Sequence, residues 1–395
     1  MTTSKVYLKA GKEESLKRFH PWIFSGAIAR IENKPQEGEV VKVYTSKNEF
    51  IAIGHYQIGS IMVRVLSFKE ENIDEKFWET RLKEALNLRR SLGLVDNPEN
   101  NTYRLVHGEG DNLPGLIIDI YGETAVIQSH SAGMHLERIK ISNALIKVMK
   151  GYISHIYYKS ETTLPFKADL LSTENGFLIG GSTENVAIEN GLKFQVDWLK
   201  GQKTGFFVDQ RENRQLLEKY AKGRSVLNMF CYTGGFSFYA MRGGAHLVHS
   251  VDSSAKAISL TNENVALNFP SDERHQAFAE DAFKYLEEMG DKYDLIVLDP
   301  PAFAKHRDAL RNALRGYTKL NAKAFEKIKP GGILFTFSCS QVVSKQDFRT
   351  AVFTAAAQSG RSVSILHQLT QPADHPINIY HPEGEYLKGL VLYVK

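Results

Sequence analysis

The sequence predicts an α/β protein in three parts: a small N-terminal β-barrel, a central α+β domain and a C-terminal parallel sheet flanked by helices. Three observations carry this. Short runs of alternating polarity, broken by Gly and Asn, fill the first 70 residues, as strands with one buried face do. One stretch of helical spacing follows them, and then a second mixed unit. From Ser225 onward, apolar strands alternate with helical stretches, the signature of a parallel α/β sheet.

In the barrel, GEVVKVYT (Gly38 to Thr45) alternates, and FIAIGHYQ (Phe50 to Gln57) and SIMVRVLSF (Ser60 to Phe68) are split at Gly59. HPWIFSGAI (His20 to Ile28) brings Trp22 and Phe24, both expected in the barrel core. From Asp74 to Gly93 the spacing predicts one helix. Asp74 suits an N-cap, and Phe77, Trp78, Leu82, Leu86 and Leu92 share a face. It reads as an interdomain linker and divides the chain into 1–72 (barrel), 73–102 (linker), 103–185 (central domain) and 186–395. Centrally, GLIIDIYGETAVIQSH holds two strands joined through Gly122, Leu136–Lys150 is an amphipathic helix, and Tyr152–Lys159 is a further strand. A hairpin is expected at Asn190-Gly191. Later strands are predicted at Ser225–Phe230, Leu247–Asp252, His275–Glu280, Leu295–Asp299, Ile333–Phe337, Val363–Gln368 and Leu387–Val394, with helices such as Ser254–Asn268 and Tyr317–Ile328. No helix fits between the last two strands, so an antiparallel hairpin at the sheet edge is expected.

Composition narrows the function classes. Of 395 residues, 43% are hydrophobic and 24% charged, ordinary for a folded soluble chain. No apolar run approaches the ~18 residues of a membrane span, and the N-terminus lacks an apolar signal-peptide core. A cytoplasmic setting is expected. Two cysteines make no disulfide framework, and no metal site is expected. The net charge of +4 is concentrated at the N-terminus: residues 1–70 hold 11 Lys/Arg and 7 Asp/Glu. A basic module on a neutral body points to a polyanion, although a solvated lysine-rich surface gives the same count.

The chemistry gathers in the last part. SVLNMFCYTGGFSFYAMRGG (Ser225 to Gly244) is a strand, a glycine turn and a helix. Such a turn brings backbone close to a ligand at a strand's carboxyl edge. Gly234-Gly235 does not match the G-x-G-x-x-G dinucleotide fingerprint. Asp252 ends the second strand, where an acid bonds ribose hydroxyls. Asp281 follows the third strand, placed for an adenine edge, and Asp299 ends the fourth. A single acid at a strand end is explained by helix capping. Three in succession around one glycine turn point to a nucleoside-type cofactor.

On these residues the C-terminal part resembles the class I S-adenosylmethionine-dependent methyltransferases, whose Rossmann-like sheet has seven strands, the last antiparallel. Nearly the whole chain resembles the bacterial large-subunit ribosomal RNA cytosine-5 methyltransferases that carry an N-terminal PUA domain. That resemblance rests on GFFVDQRENR (Gly205 to Arg214), FCYTGGFSFYA, LDPPAFAK, LFTFSCSQ and ADHPINIYHPEGEYLKG (Ala373 to Gly389). It implies S-adenosylmethionine bound by Gln210, Asn228, Phe230, Tyr232, Thr233, Gly234, Gly235, Asp252, Ser253, Asp281, Ala282 and Asp299. It implies a substrate base facing Pro300, Pro301 and Phe303, with Lys305 and Arg211 toward RNA. A PUA-like RNA-binding barrel and large-subunit ribosomal RNA as partner follow. Oligomeric state is left open, a homodimer included.

Carbon 5 of cytosine is a poor nucleophile until a thiolate adds to carbon 6. The resemblance assigns that nucleophile role to Cys339, with Asp299 bonding the pyrimidine edge. Related enzymes often carry a cysteine directly after D-P-P, and here that place is Ala302. Cys231, in the glycine turn, reads as a small buried residue. Phe303 stacks on the base or merely packs. Lys305 touches phosphate or faces solvent. His375 reads as a loop anchor or a proton acceptor, and Asp209 as the cap of the helix after it. Two other functions compete: methylation of a ring or exocyclic nitrogen, for example on guanosine, and a non-catalytic RNA-binding assembly factor.

Overall fold

The computed structural model describes residues 4–165, 170–182 and 184–395. Residues 1–3 of the expected barrel, and 166–169 and 183 of the expected central domain, lie outside the described residues. The chain forms two compact units, one of Met1–Gly191, Val196–Val208 and Ala373–Gly384, the other of Leu192–Gln195, Asp209–Pro372 and Glu385–Lys395. Among the described residues, no helix is long and apolar enough to cross a membrane.

The first unit opens with a six-stranded sheet in the order Trp22–Phe24, Ile61–Ser67, Phe50–Tyr56, Val40–Tyr44, Lys5–Leu8, Ile28–Glu32. All pairings are antiparallel except Lys5–Leu8 with Val40–Tyr44. The two edge strands do not pair with each other, so the barrel is a half-barrel. Its core is mostly aliphatic, with Val6, Leu8, Leu16, Ile23, Val41, Val43 and Val63 beside Tyr56. The expectation for the aromatics is corrected. Phe24 is 46% exposed. Trp22 is half-buried, its indole N–H donating to Glu109 at 2.8 Å. A three-residue edge strand leaves these rings no room inside.

The helix Glu75–Ser91 forms as predicted, with the Asp74 carboxylate accepting from the Phe77 N–H at 3.0 Å. It is no free linker, however. Phe77, Trp78, Leu82 and Leu86 share one core with Leu105, Ile118 and Ile127 of the central sheet and Leu145 of a helix packed with them. Burying such side chains stabilises by roughly 1.5–3 kcal/mol each, so the helix is a layer of that domain. The sheet runs Gly176–Ile179, His155–Tyr158, Thr124–Ser129, Leu116–Tyr121, Thr102–His107. The helix expected over Leu136–Lys150 forms as Arg138–Val148, preceded by a short helix, Ala132–Leu136, capped by Ser131. Asn190 and Gly191, both at positive φ, separate the strands Val186–Glu189 and Leu192–Gln195.

The second unit is built on a seven-stranded sheet: Ser225–Met229, Leu247–Asp252, His275–Ala279, Leu295–Leu298, Gly332–Ser338, Val363–Leu369 and Lys388–Val394. Its spatial order is third, second, first, fourth, fifth, seventh, sixth, with the seventh antiparallel to both neighbours. The last two strands form the expected antiparallel pair at the sheet edge. The seventh strand fills an inner slot and the sixth is the edge. KGLVLYV is a near-continuous apolar run, buried along its length, whereas VSILHQL is largely accessible. The helix expected from Tyr317 begins earlier, at Leu310, and runs to Lys327. Its exposed first turns, rich in Arg and Asn, hid the period. The strand order reverses between the first and fourth strands, the position where open α/β sheets bind ligands.

Candidate active site

The glycine turn follows the first strand. Phe230 (φ +57°) and Tyr232 (φ +48°) occupy the left-handed region, which costs roughly 1–3 kcal/mol per residue and is characteristic of ligand clamps. The second strand and the helix Ala255–Asn268 after it hold the turn. The Cys231 N–H donates to the Val251 carbonyl at 3.0 Å, the Tyr232 N–H to Asp252 Oδ2 at 3.0 Å, and the Thr261 hydroxyl to the Tyr232 carbonyl at 3.0 Å. Gly234 (φ +85°) precedes the helix Gly235–Arg242, and a Cβ there would lie 2.7 Å from both Phe238 Cζ and Thr261 Cγ2. Gly234→Ala is therefore expected to lower stability by about 1–3 kcal/mol and to weaken cofactor binding, measured by thermal unfolding and calorimetry.

Asp252 ends the second strand and Asp281 follows the third, both strands lying on one side of the strand that leads into this turn. Asp252 pairs with Ala279 across the sheet, and the Glu280 N–H donates to the Asp252 carbonyl at 3.0 Å. Asp252 Oδ1 also accepts from the Ser254 N–H at 2.9 Å. Asp281 caps the helix Ala282–Glu288 through Oδ1 and the Lys284 N–H at 3.0 Å. Capping and ligand binding are compatible, because a carboxylate offers about four acceptor sites. Both acids keep capacity for ribose hydroxyls and an adenine amino group, so the donor set fits an adenosine moiety. Thr233 and Ala282 are buried here and Ser253 is exposed. Asn228 donates through Nδ2 to Ser237 at 3.0 Å, while its buried Oδ1 accepts no hydrogen bond among the described residues.

Asp299 lies just past the fourth strand. Its Oδ2 accepts from Gln210 Nε2 at 3.0 Å, and Gln210 Oε1 in turn accepts from Asn213 Nδ2 at 2.6 Å. Gln210, Arg211, Asn213 and Arg214 are all buried. The cap expectation is corrected: Gln210 occupies the N-cap position, and Asp209 accepts instead from the Tyr386 hydroxyl at 2.6 Å. Asn213 and Arg214 escaped the sequence reading. Arg214 packs under the turn, its Cδ 3.0 Å from where a Gly235 Cβ would sit. The overlooked signal was polar residues at i, i+3 and i+4 from Gln210, a core-facing spacing.

Cys339 is the first residue past the fifth strand, next to the strand that Asp299 follows. It is half-buried, whereas Ser338 and Ser340 are buried. The Ser338 hydroxyl donates to the Tyr317 phenol at 2.9 Å, and the Ser340 hydroxyl donates to the Ala304 carbonyl in the loop after Asp299-Pro300-Pro301. The two serines thus tie the turn into the protein. Tyr317, also missed in the sequence, joins the two loops. Its ring lies 4.6 Å from that of Phe303, and burial, reinforced by the charges of Cys339 and Asp299, pushes its phenol up to about 12. Phe303 is packed on Tyr317. Pro300 is buried, while Pro301 and Lys305 are exposed. Cys231 is buried, and burial raises its thiol far above the usual range. In its own unit, His375 is fully buried, 3.1 Å from Asp374, whose carboxylate accepts from the Arg104 N–H at 3.0 Å.

A family model described as S-adenosylmethionine-dependent methyltransferase matches residues 172–386, and a PUA-like domain model matches residues 6–68. The chain is 43% identical over 398 residues to "Ribosomal RNA large subunit methyltransferase I" of Aeromonas hydrophila, covering 99% of each chain. It is 42% identical over 398 residues to the protein of that name from Tolumonas auensis, again covering 99% of each. Among solved structures, a SAM-dependent methyltransferase candidate from Streptococcus mutans superposes with a TM-score of 0.83 at 23% identity, over 99% of this chain and 100% of that one. A methyltransferase candidate solved in complex with SAH gives 0.84 at 23% identity, with the same coverage. These structures share the fold. The chain is an S-adenosylmethionine-dependent methyltransferase, and it belongs to the ribosomal RNA large subunit methyltransferase I family.

Proposed function

We propose that this chain forms 5-methylcytidine at one position of large-subunit ribosomal RNA, with Cys339 as covalent nucleophile. The observation that carries the reading is a half-buried thiol just past the fifth strand, beside the strand Asp299 follows, with Tyr317 facing both. S-adenosylmethionine, held by the glycine turn, Asp252 and Asp281, supplies an electrophilic methyl group. The Cys339 thiolate adds to carbon 6 of the flipped cytosine, which makes carbon 5 nucleophilic. Asp299, steadied by Gln210, accepts from the cytosine N4 amino group. After methyl transfer a base takes the carbon 5 proton, the carbon–sulfur bond breaks, and the thiolate returns. The boundaries at residues 72 and 185 belong to this reading, with the helix Glu75–Ser91 counted as a layer of the central domain and RNA contacts shared between barrel and catalytic domain.

RNA carrying 5-fluorocytidine tests the chemistry, because fluorine cannot leave as a proton does. Wild-type protein with S-adenosylmethionine is expected to form an adduct stable to denaturation, mapped to Cys339 by peptide mass spectrometry. Turnover without an adduct would point to nitrogen methylation instead.

The barrel contributes phosphate contacts. Lys12, Arg18, Lys34 and Lys47 are exposed and form no ion pair among the described residues. Replacing all four with Gln is expected to flatten the salt dependence of RNA affinity by up to about three units of logarithmic slope, with cofactor affinity unchanged. Deleting the barrel is a poorer test, because His55 stacks on Trp78 and truncation would expose that core.

A further inference from the structure

We propose that Lys388 is a positioning residue for the nucleophile, its buried ammonium holding Cys339 as the thiolate. The inference rests on the covalent reading above and names a group which that reading does not use. Lys388 opens the seventh strand and pairs across the sheet with Ser338, the residue before Cys339. It is 5% exposed. Its Nζ donates to the Ser340 carbonyl at 2.5 Å and the Val343 carbonyl at 2.8 Å, both in the turn that Cys339 begins. No carboxylate pairs with it among the described residues. A buried ion carries a desolvation penalty of several kcal/mol, and here no carboxylate within ion-pairing distance offsets it. The other residues of this strand are apolar, so a methionine would fill the site at less electrostatic cost.

The groups facing this ammonium narrow its purpose. Glu385 is engaged in an ion pair with Lys345, which itself repels Lys388. Tyr317 is kept as a neutral phenol, and Asp299 lies past the fourth strand, bonded to Gln210. Of the groups whose negative charge would favour the ammonium, Cys339 acts more strongly than Glu385. The step balances simply. Cys339 releases its proton to solvent, the electron pair stays on Sγ, and Lys388 remains protonated throughout. The same thiolate is regenerated when the carbon 6–sulfur bond breaks. Burial brings the ammonium down to about 8, so it is charged at neutral pH and loses its charge in mildly alkaline solution.

A merely structural role, fastening residues 340–343, predicts something different, and the experiment separates the two. Full-length wild type, Lys388→Met and Lys388→Arg are treated with iodoacetamide across acid to alkaline pH. Peptide mass spectrometry follows Cys339 separately from Cys231. For Lys388→Met the midpoint of Cys339 alkylation is expected to rise by about one unit or more, while Lys388→Arg keeps the low midpoint. Wild-type kcat/KM is expected to fall above about 8, and Lys388→Arg to lose that alkaline limb because guanidinium stays charged. An unmoved alkylation midpoint in Lys388→Met, whatever its absolute rate, overturns the proposal. If Lys388→Met does not fold, an alkaline limb unchanged in Lys388→Arg overturns it equally. Should Cys339→Ala retain full activity, the covalent reading fails, and the alkylation midpoint still reports whether the ammonium lowers the thiol.

Discussion

Cys339→Ala is expected to reduce methyl transfer to ribosomal RNA by roughly 10⁴-fold or more, the scale on which loss of a covalent nucleophile acts. That is about 5.5 kcal/mol of transition-state stabilisation. The other cysteine does not substitute: Cys231 is buried with its thiol pushed far up, and Ala302 stands where a second thiol would sit. S-adenosylmethionine affinity is expected to stay within about threefold, because Cys339 lies past the fifth strand and the glycine turn follows the first. The half-buried side chain is small, so the stability change should be about 1 kcal/mol or less. Single-turnover methylation, calorimetry and thermal unfolding on one preparation check all three. Retention of activity within a few fold would remove Cys339 from the chemistry and favour transfer to nitrogen.

Asp252→Ala is the second large effect, and it falls on binding. The carboxylate already accepts the Tyr232 and Ser254 amides at 3.0 and 2.9 Å, and in the proposed complex it also accepts the ribose hydroxyls. Hydrogen bonds to a charged group contribute roughly 1.5–3 kcal/mol each. Losing the ribose contacts and relaxing the strained Tyr232 turn together should weaken S-adenosylmethionine binding about 100- to 1,000-fold. Asp252→Asn keeps one acceptor oxygen and should fall between. Calorimetric titration decides the matter. A loss in Asp252→Ala below about threefold would mean that the carboxylate serves the turn alone.

The catalytic sheet was legible in the sequence because its strands are continuous apolar runs ending on Asp252, Asp299 and Cys339. The glycine turn was legible because only Gly fits at position 234, where φ is +85° and neighbours close to 2.7 Å. What escaped depends on distant pairing. Lys388 does not stand out within the predicted strand Leu387–Val394, because only the order fifth, seventh, sixth places it opposite Ser338. Tyr317 looked like ordinary helix core, yet it meets the Phe303 and Ser338 loops at once. Asn213 and Arg214 read as a polar helix start because apolar periodicity gives no weight to buried polar faces. Phe24 misled for the opposite reason, since its apolar character implied burial that a three-residue edge strand does not provide.

The central claim is the product. Nucleoside mass spectrometry of large-subunit ribosomal RNA should compare cells lacking this protein with the same cells given the wild type or Cys339→Ala. The account predicts loss of one 5-methylcytidine, restored by the wild type and not by Cys339→Ala. Loss of a methylguanosine instead, or restoration by Cys339→Ala, would contradict it.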